Sequence, residues 1–185
     1  MSFPKQEKPE ILPYNLLMGK DIYVRDNDAD NHYAVVLAFL DTGAQRIFIS
    51  PDFAKRLKLT AIRQERFGIQ GFNGSTAEAL SNIYRIKILA RGNMNKVIEV
   101  AEVENLIGNV HYFPNSTRLN PSKLSVIDAR LLALERPGII IGIPDFWSMG
   151  IKPAVKLPSG FNFVDSDIYR EHSQDVLRIH YPIKK

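Results

Sequence analysis

Leu37-Ala38-Phe39-Leu40-Asp41-Thr42-Gly43-Ala44-Gln45 is an apolar run that delivers a single carboxylate onto a tight Thr-Gly turn. The residues ahead of the acid, Val35, Val36, Leu37, Phe39 and Leu40, predict a buried strand, so Asp41 leaves it beside apolar walls. Gly43 reaches backbone angles closed to other residues and lets another chain pass close by. Thr42 adds a short hydroxyl that can lock a turn. Asp-Thr-Gly alone is also what an ordinary capped strand end looks like, and the residues after it separate the two readings. Arg46-Ile47-Phe48-Ile49-Ser50 predicts a short second strand. Ser50-Pro51-Asp52 then predicts a helix start: Ser50 caps it, Pro51 suits its first position, and Asp52 meets the positive end of the dipole. Phe53, Leu57 and Leu59 are left to pack it.

A second element of the same kind lies farther along. In Ile139-Ile140-Ile141-Gly142-Ile143-Pro144-Asp145-Phe146-Trp147 an apolar strand runs into Gly142, which permits close passage of a neighbour, and Pro144 opens a short helix that Gly150 can end. The two stretches in this order resemble the retropepsin-like aspartic proteases, and most closely the Pao-type (BEL/Pao) retrotransposon peptidases. The hallmarks of that family are a hydrophobic strand, Asp-Ser/Thr-Gly-Ala/Ser, a Phe-Ile strand, a short helix, and later an apolar pair followed by Gly. The resemblance spans about residues 20 to 165. It implies a mostly β fold, a retropepsin-like closed barrel with a flap hairpin and one to three short helices.

Between the two motifs, residues 61–70 and 75–89 predict two strands joined through Gly71-Phe72-Asn73-Gly74, where Asn-Gly favours the positive backbone angles of a hairpin turn. By resemblance this hairpin is the flap that closes over bound peptide. Alternation in Tyr84, Ile86 and Ile88, and in Val97, Ile98, Val100 and Val103, predicts further wall strands joined at Arg91-Gly92-Asn93. Val110-His111-Tyr112-Phe113 is strand-like, and residues 124–134 carry helical spacing until Pro137-Gly138. Residues 176–181 read as a last strand. The expected organisation is an N-terminal lead over 1–20, a protease-like domain over 21–155 and a C-terminal extension over 156–185.

Aspartic-protease chemistry needs two carboxylates facing one water, and the chain holds one Asp-Thr-Gly. Its 185 residues are too few for the two-lobed form of the family, so the resemblance implies a homodimer with one Asp41 from each protomer. On this reading Asp41 activates the water, Thr42 and Gly43 brace the pair, and the backbone of Gly43, Ala44 and Gln45 holds an extended peptide substrate. The flap residues Gln70, Gly71, Phe72, Asn73 and Gly74 add contacts from above, and Ile140 lines the groove. The reaction needs no cofactor and no metal. The rival expectation is a catalytically silent, domesticated dimerisation or protein-binding module, suggested by Met1, by a sequence without polymerase or integrase segments, and by an altered tail after residue 165.

Composition agrees with one globular core: 45% of residues are hydrophobic, and eleven Gly and eleven Pro suit many turns. Cysteine is absent, which excludes disulfides, thiol nucleophiles and thiolate metal sites. The net charge of +4 comes without a basic block, so no nucleic-acid partner is expected. His32, His111, His172 and His180 lack metal-ligand spacing. His172, Ser173 and Asp175 are too close in sequence to assemble a triad. With no signal-like segment and no run near the roughly 18 apolar residues of a membrane span, the expected setting is cytoplasmic, without a membrane.

Overall fold

The computed structural model describes residues 18–26, 33–70, 76–90, 95–114, 132–156 and 162–168. Three strands and a helix open the described chain: β1 (Gly19–Asp26), β2 (Ala34–Leu40), β3 (Phe48–Ile49) and α1 (Pro51–Arg56). A long hairpin and its neighbour follow as β4 (Arg63–Gln70), β5 (Thr76–Leu89) and β6 (Asn95–Glu102). Then come β7 (Val110–Tyr112), β8 (Ala133–Glu135), β9 (Ile139–Ile141) and α2 (Ile143–Phe146), the last continuing into a 3-10 turn over Trp147–Met149. β10 (Lys152–Lys156) and β11 (Asn162–Asp165) pair with each other.

Seven strands form one sheet in the order β1-β2-β9-β3-β6-β5-β4, and a further pairing of β1 with β5 closes it into a ring that leaves β4 outside. The fold is thus mostly β with few short helices, and its strand pairings agree with the expected closed wall and projecting hairpin. Alternation explains the closure. Side chains two apart on a strand share a face. Here Ile22 and Val24, Val36, Ala38 and Leu40, Ile86 and Ile88, Ile98 and Val100, and Ile139 and Ile141 all enter one buried cluster. The apolar area they remove from water is the main force holding the ring shut.

α1 plugs this cluster with Phe53 and Ala54. Its start follows the expected chemistry, for the Ser50 side chain accepts a hydrogen bond from the Phe53 N–H and Pro51 opens the first turn. On the outer face of β2, Leu37 packs with Val110 and Tyr112 of the β7–β8 ribbon. The Tyr112 hydroxyl lies between Asp21 Oδ1 at 3.2 Å and Glu135 Oε2 at 2.8 Å, its single proton shared between the two carboxylates, which anchors that ribbon to β1.

Two expectations change. The helical spacing read through Leu134 does not reach that far, because Ala133 to Glu135 pair as a strand with β7. Ladder hydrogen bonds and packing against Leu37 outweigh a local helical pattern there; residues 124–131 lie outside the described residues, as do 176–181. The strand expected over residues 46–50 is limited to Phe48 and Ile49. Past residue 155, Ser166 and Ile168 are buried. Lys20 Nζ donates to Ser166 Oγ at 3.2 Å and to the Ile168 carbonyl at 3.3 Å, and Ile168 joins the main core.

Candidate active site

β2 and β9 run parallel and finish together, Leu40 opposite Ile141, so that the next residues are Asp41 on one side and Gly142 on the other. The Asp41 N–H donates to the Ile141 carbonyl at 3.0 Å, and the Leu40 N–H donates to the Met18 carbonyl at 2.7 Å. Both bonds fix the backbone that carries the acid. The turn then folds back on it: the Gly43 N–H donates to Asp41 Oδ1 at 2.8 Å, and the Ala44 N–H to the Asp41 carbonyl at 3.3 Å. One carboxylate oxygen is therefore held by the turn.

Gly142 locks the loop from below. The Ile143 N–H donates to the Ala44 carbonyl at 2.8 Å. A Cβ at position 142 would lie 2.5 Å from that same carbonyl oxygen and 2.3 Å from the Arg46 carbonyl oxygen. The absence of a side chain lets the two motifs interlock.

Asp41, Thr42 and Ala44 are half-buried, and Gly43 and Gln45 are exposed, so the turn presents itself at the surface on a rigid base. Ile140 pairs with Phe39 and Phe48 and is buried, but it stands apart from the main core to which Ile139 and Ile141 belong. Gln70 ends β4 and is exposed. Gly71, Phe72, Asn73 and Gly74 lie outside the described residues.

Arg46, Glu65 and Phe67 were not singled out in the sequence, and they join the loop to the hairpin. Arg46 Nη2 lies 2.7 Å from Glu65 Oε1, and its guanidinium sits 4.8 Å from the centroid of the Phe67 ring. Phe67 also meets Phe48, with ring centroids 6.1 Å apart. Arg63 extends the charge pairing, 3.4 Å from Glu65 and 2.7 Å from Glu99, and Arg85 lies 3.1 Å from Glu99. The Arg46 hydrogen bond holds the Glu65 carboxyl below its ordinary range, with Arg63 adding to the effect. Hydrogen bonds from Arg63 and then Arg85 lower Glu99 in the same way. The spacing of Phe67 and Ile69, two apart on one face of β4, was the available sequence signal, although nothing in it names Arg46 as the partner.

A hollow of about 250 Å³ opens beside this junction, lined by Gln45, Arg46, Glu65, Glu99 and Asp145 among others. A larger one of about 670 Å³ lies at the start of α1, between Phe53, Glu104, Glu135 and Arg136, and includes none of the Asp41 turn. Among the described residues no group of three or more His, Asp or Glu side chains is arranged to hold a metal ion. No helix among them is long and apolar enough to cross a membrane.

Fold and site together describe a closed β sheet that presents a hydrogen-bonded aspartate on a Thr-Gly turn. Over residues 30–109, less than half of the chain, the sequence matches the model of the family described as gag-polyprotein putative aspartyl protease. That stretch includes the Asp41 turn, α1 and both strands of the β4–β5 hairpin, and stops short of Gly142. Two solved structures match the chain, each at low identity and a TM-score below 0.5. One is the EIAV protease complexed with the inhibitor HBY-793, at 15% identity and a TM-score of 0.40, the match covering 84% of this chain and 100% of that one. The other is the retroviral protease-like domain of Ddi1 from Leishmania major, at 14% identity and a TM-score of 0.35, covering 87% and 99% of the respective chains. No curated protein matches the sequence.

Proposed function

We propose that this chain is an aspartic endopeptidase that works as a homodimer, with Asp41 of each protomer facing one water across the twofold axis. The observation that carries the reading is the pinned carboxylate. Gly43 N–H holds Oδ1 at 2.8 Å while the Asp41 backbone is tied to Ile141, so the second carboxylate oxygen is oriented without a side-chain partner having to move. The match to the aspartyl protease family over residues 30–109 supports the same chemistry.

Two carboxylates at close range share one proton, since both cannot ionise cheaply. The ionised Asp41 takes a proton from the water as its oxygen attacks the scissile carbonyl, and the protonated Asp41 donates to the carbonyl oxygen. Collapse of the tetrahedral intermediate breaks the C–N bond: the leaving amine takes a proton from the Asp41 that received one from the water, and a hydroxyl of the intermediate returns its proton to the other Asp41. Thr42 and Gly43 brace the pair. The exposed backbone of Gly43 and Gln45, with Ala44 between them, offers hydrogen bonds to an extended peptide, and Gln70 and residues 71–74 cover it. Ile140 supports the groove from β9. The Ile139 to Trp147 stretch supports a Pao-type retrotransposon origin, and we assign the dimer to the cytoplasm.

The test is cleavage of a random-peptide mixture by wild type and Asp41→Asn at mildly acid and neutral pH, with oligomeric state recorded alongside. Cleavage by a dimer that disappears in Asp41→Asn is the expected result. A well-folded dimer that cuts nothing would leave the binding-module reading, and a stable monomer would remove the shared site altogether.

A further inference from the structure

β4 is an edge strand: among the described strands it hydrogen-bonds to β5 alone and stands outside the closed ring. A two-stranded ribbon is marginally stable by itself, so its angle to the body is decided by side chains that reach it. Glu65, Phe67 and Ile69 lie on its half-buried face, while Gln64, Arg66, Gly68 and Gln70 are exposed. From the body, Arg46 and Phe48 reach that face.

We propose that Arg46 is a positioning residue that sets the β4–β5 hairpin against the loop that follows Asp41. The proposal rests on the protease reading for its functional consequence and for the place of the hairpin over substrate; the contacts of Arg46 with β4 stand without it. Arg46 directly follows Gln45, the last residue of the candidate substrate loop. Its guanidinium edge engages Glu65 at 2.7 Å, and it lies 4.8 Å from the ring of Phe67, two residues along the same strand. A contact at both i and i+2 fixes the strand's height as well as its tilt. A lysine could supply the charge but neither the planar fork nor the stacking surface. The guanidinium therefore couples the loop after Gln45 to β4, which on the protease reading joins the loop that holds substrate to the hairpin that covers it. Because the side chains are 43% and 33% exposed, salt weakens this link.

The experiment uses the full chain and two readouts, amide hydrogen exchange and steady-state cleavage of a peptide that the wild type cuts. Arg46→Ala is expected to speed exchange in residues 66–70 by about fivefold while residues 139–141 stay as in wild type, the size following from one exposed ion pair plus one cation–π contact. Its KM rises by about fivefold with kcat within about twofold, the signature of lost binding rather than lost chemistry. Arg46→Lys falls between, and added NaCl moves wild type toward Arg46→Ala. If Arg46→Ala exchanges and binds like wild type while Asp41→Asn is dead, the positioning role is overturned and the protease stands. Faster exchange spread through residues 139–141 also overturns it, as general loosening. If wild type cuts nothing, the protease reading fails, and the exchange pattern alone decides whether Arg46 sets the hairpin.

Discussion

Gly142 passes under Ala44 so closely that a Cβ there would stand 2.5 Å from the Ala44 carbonyl oxygen, while the neighbouring Ile143 N–H donates to that oxygen at 2.8 Å. The contact joins two segments far apart in sequence, and backbone on both sides leaves no flexible side chain to give way. Gly142→Ala is expected to cost about 2–3 kcal/mol, at the upper end of overpacking effects. Urea denaturation would show it as a lower midpoint with an unchanged slope. A wild-type midpoint would mean that the loop shifts freely and that the interlock has no structural weight.

Asp41→Asn should separate chemistry from folding. The Asn side-chain oxygen can still accept from the Gly43 N–H, so stability is expected to stay within about 0.5 kcal/mol of wild type. Peptide cleavage is expected to vanish. Thermal unfolding and cleavage run on the same preparation check both halves, and retained cleavage would exclude Asp41 as the acid–base group.

The acid limb of stability should report the charge chain that runs from Arg46 across β4, β5 and β6. Glu65 and Glu99 have folded-state pKa values depressed by Arg46, Arg63 and Arg85. Their stabilisation is therefore present above the ordinary glutamate range and is lost as pH falls through the lower folded-state values. Denaturant midpoints between pH 7 and pH 3 are expected to fall less steeply for Glu65→Gln/Glu99→Gln than for wild type, and the difference should shrink in high salt. Parallel curves for the two proteins would show the pairs to be energetically silent.

Tyr112→Phe tests how the β7–β8 ribbon is held. The hydroxyl bridges Asp21 and Glu135 in a buried setting, and burial, followed by the hydrogen bond to Glu135 and the charge of Asp21, pushes the phenol well above its usual value. Removing it takes away the one proton that the two carboxylates share and should cost about 1–2 kcal/mol at neutral pH. The sign at high pH is opposite to the acid limb: the wild-type advantage is complete below the unfolded tyrosine value and is lost as pH rises beyond it. Equilibrium unfolding of both proteins at neutral and alkaline pH measures this, and equal stability at neutral pH would show the bridge to be dispensable.

Much of the frame was legible because it is local. Alternation in Tyr84, Ile86 and Ile88 marked a wall strand, and the Ser50-Pro51-Asp52 start marked α1, since a cap and a proline act within one turn of chain. Residues 133–135 were misread because a short stretch with a helical pattern has no way to announce a partner strand more than twenty residues away. The joining of Arg46 to Glu65 and Phe67 was equally hidden, for contacts between separate elements leave no spacing in the sequence.

By itself the sequence determined that an apolar strand ends in Asp41 on a Thr-Gly turn, that a second apolar strand ends in Gly142, and that no cysteine is available for chemistry or cross-linking. These follow from residue type and order, which local sterics and burial convert directly into strands and turns. Only the tertiary structure decided that β2 and β9 lie parallel and finish together, that Gly142 locks the Ala44 carbonyl, and that Arg46 links the turn to the hairpin. Those depend on which strands share the buried core, and that choice is made by the whole chain closing at once around Ile22, Leu40, Ile86 and Ile141.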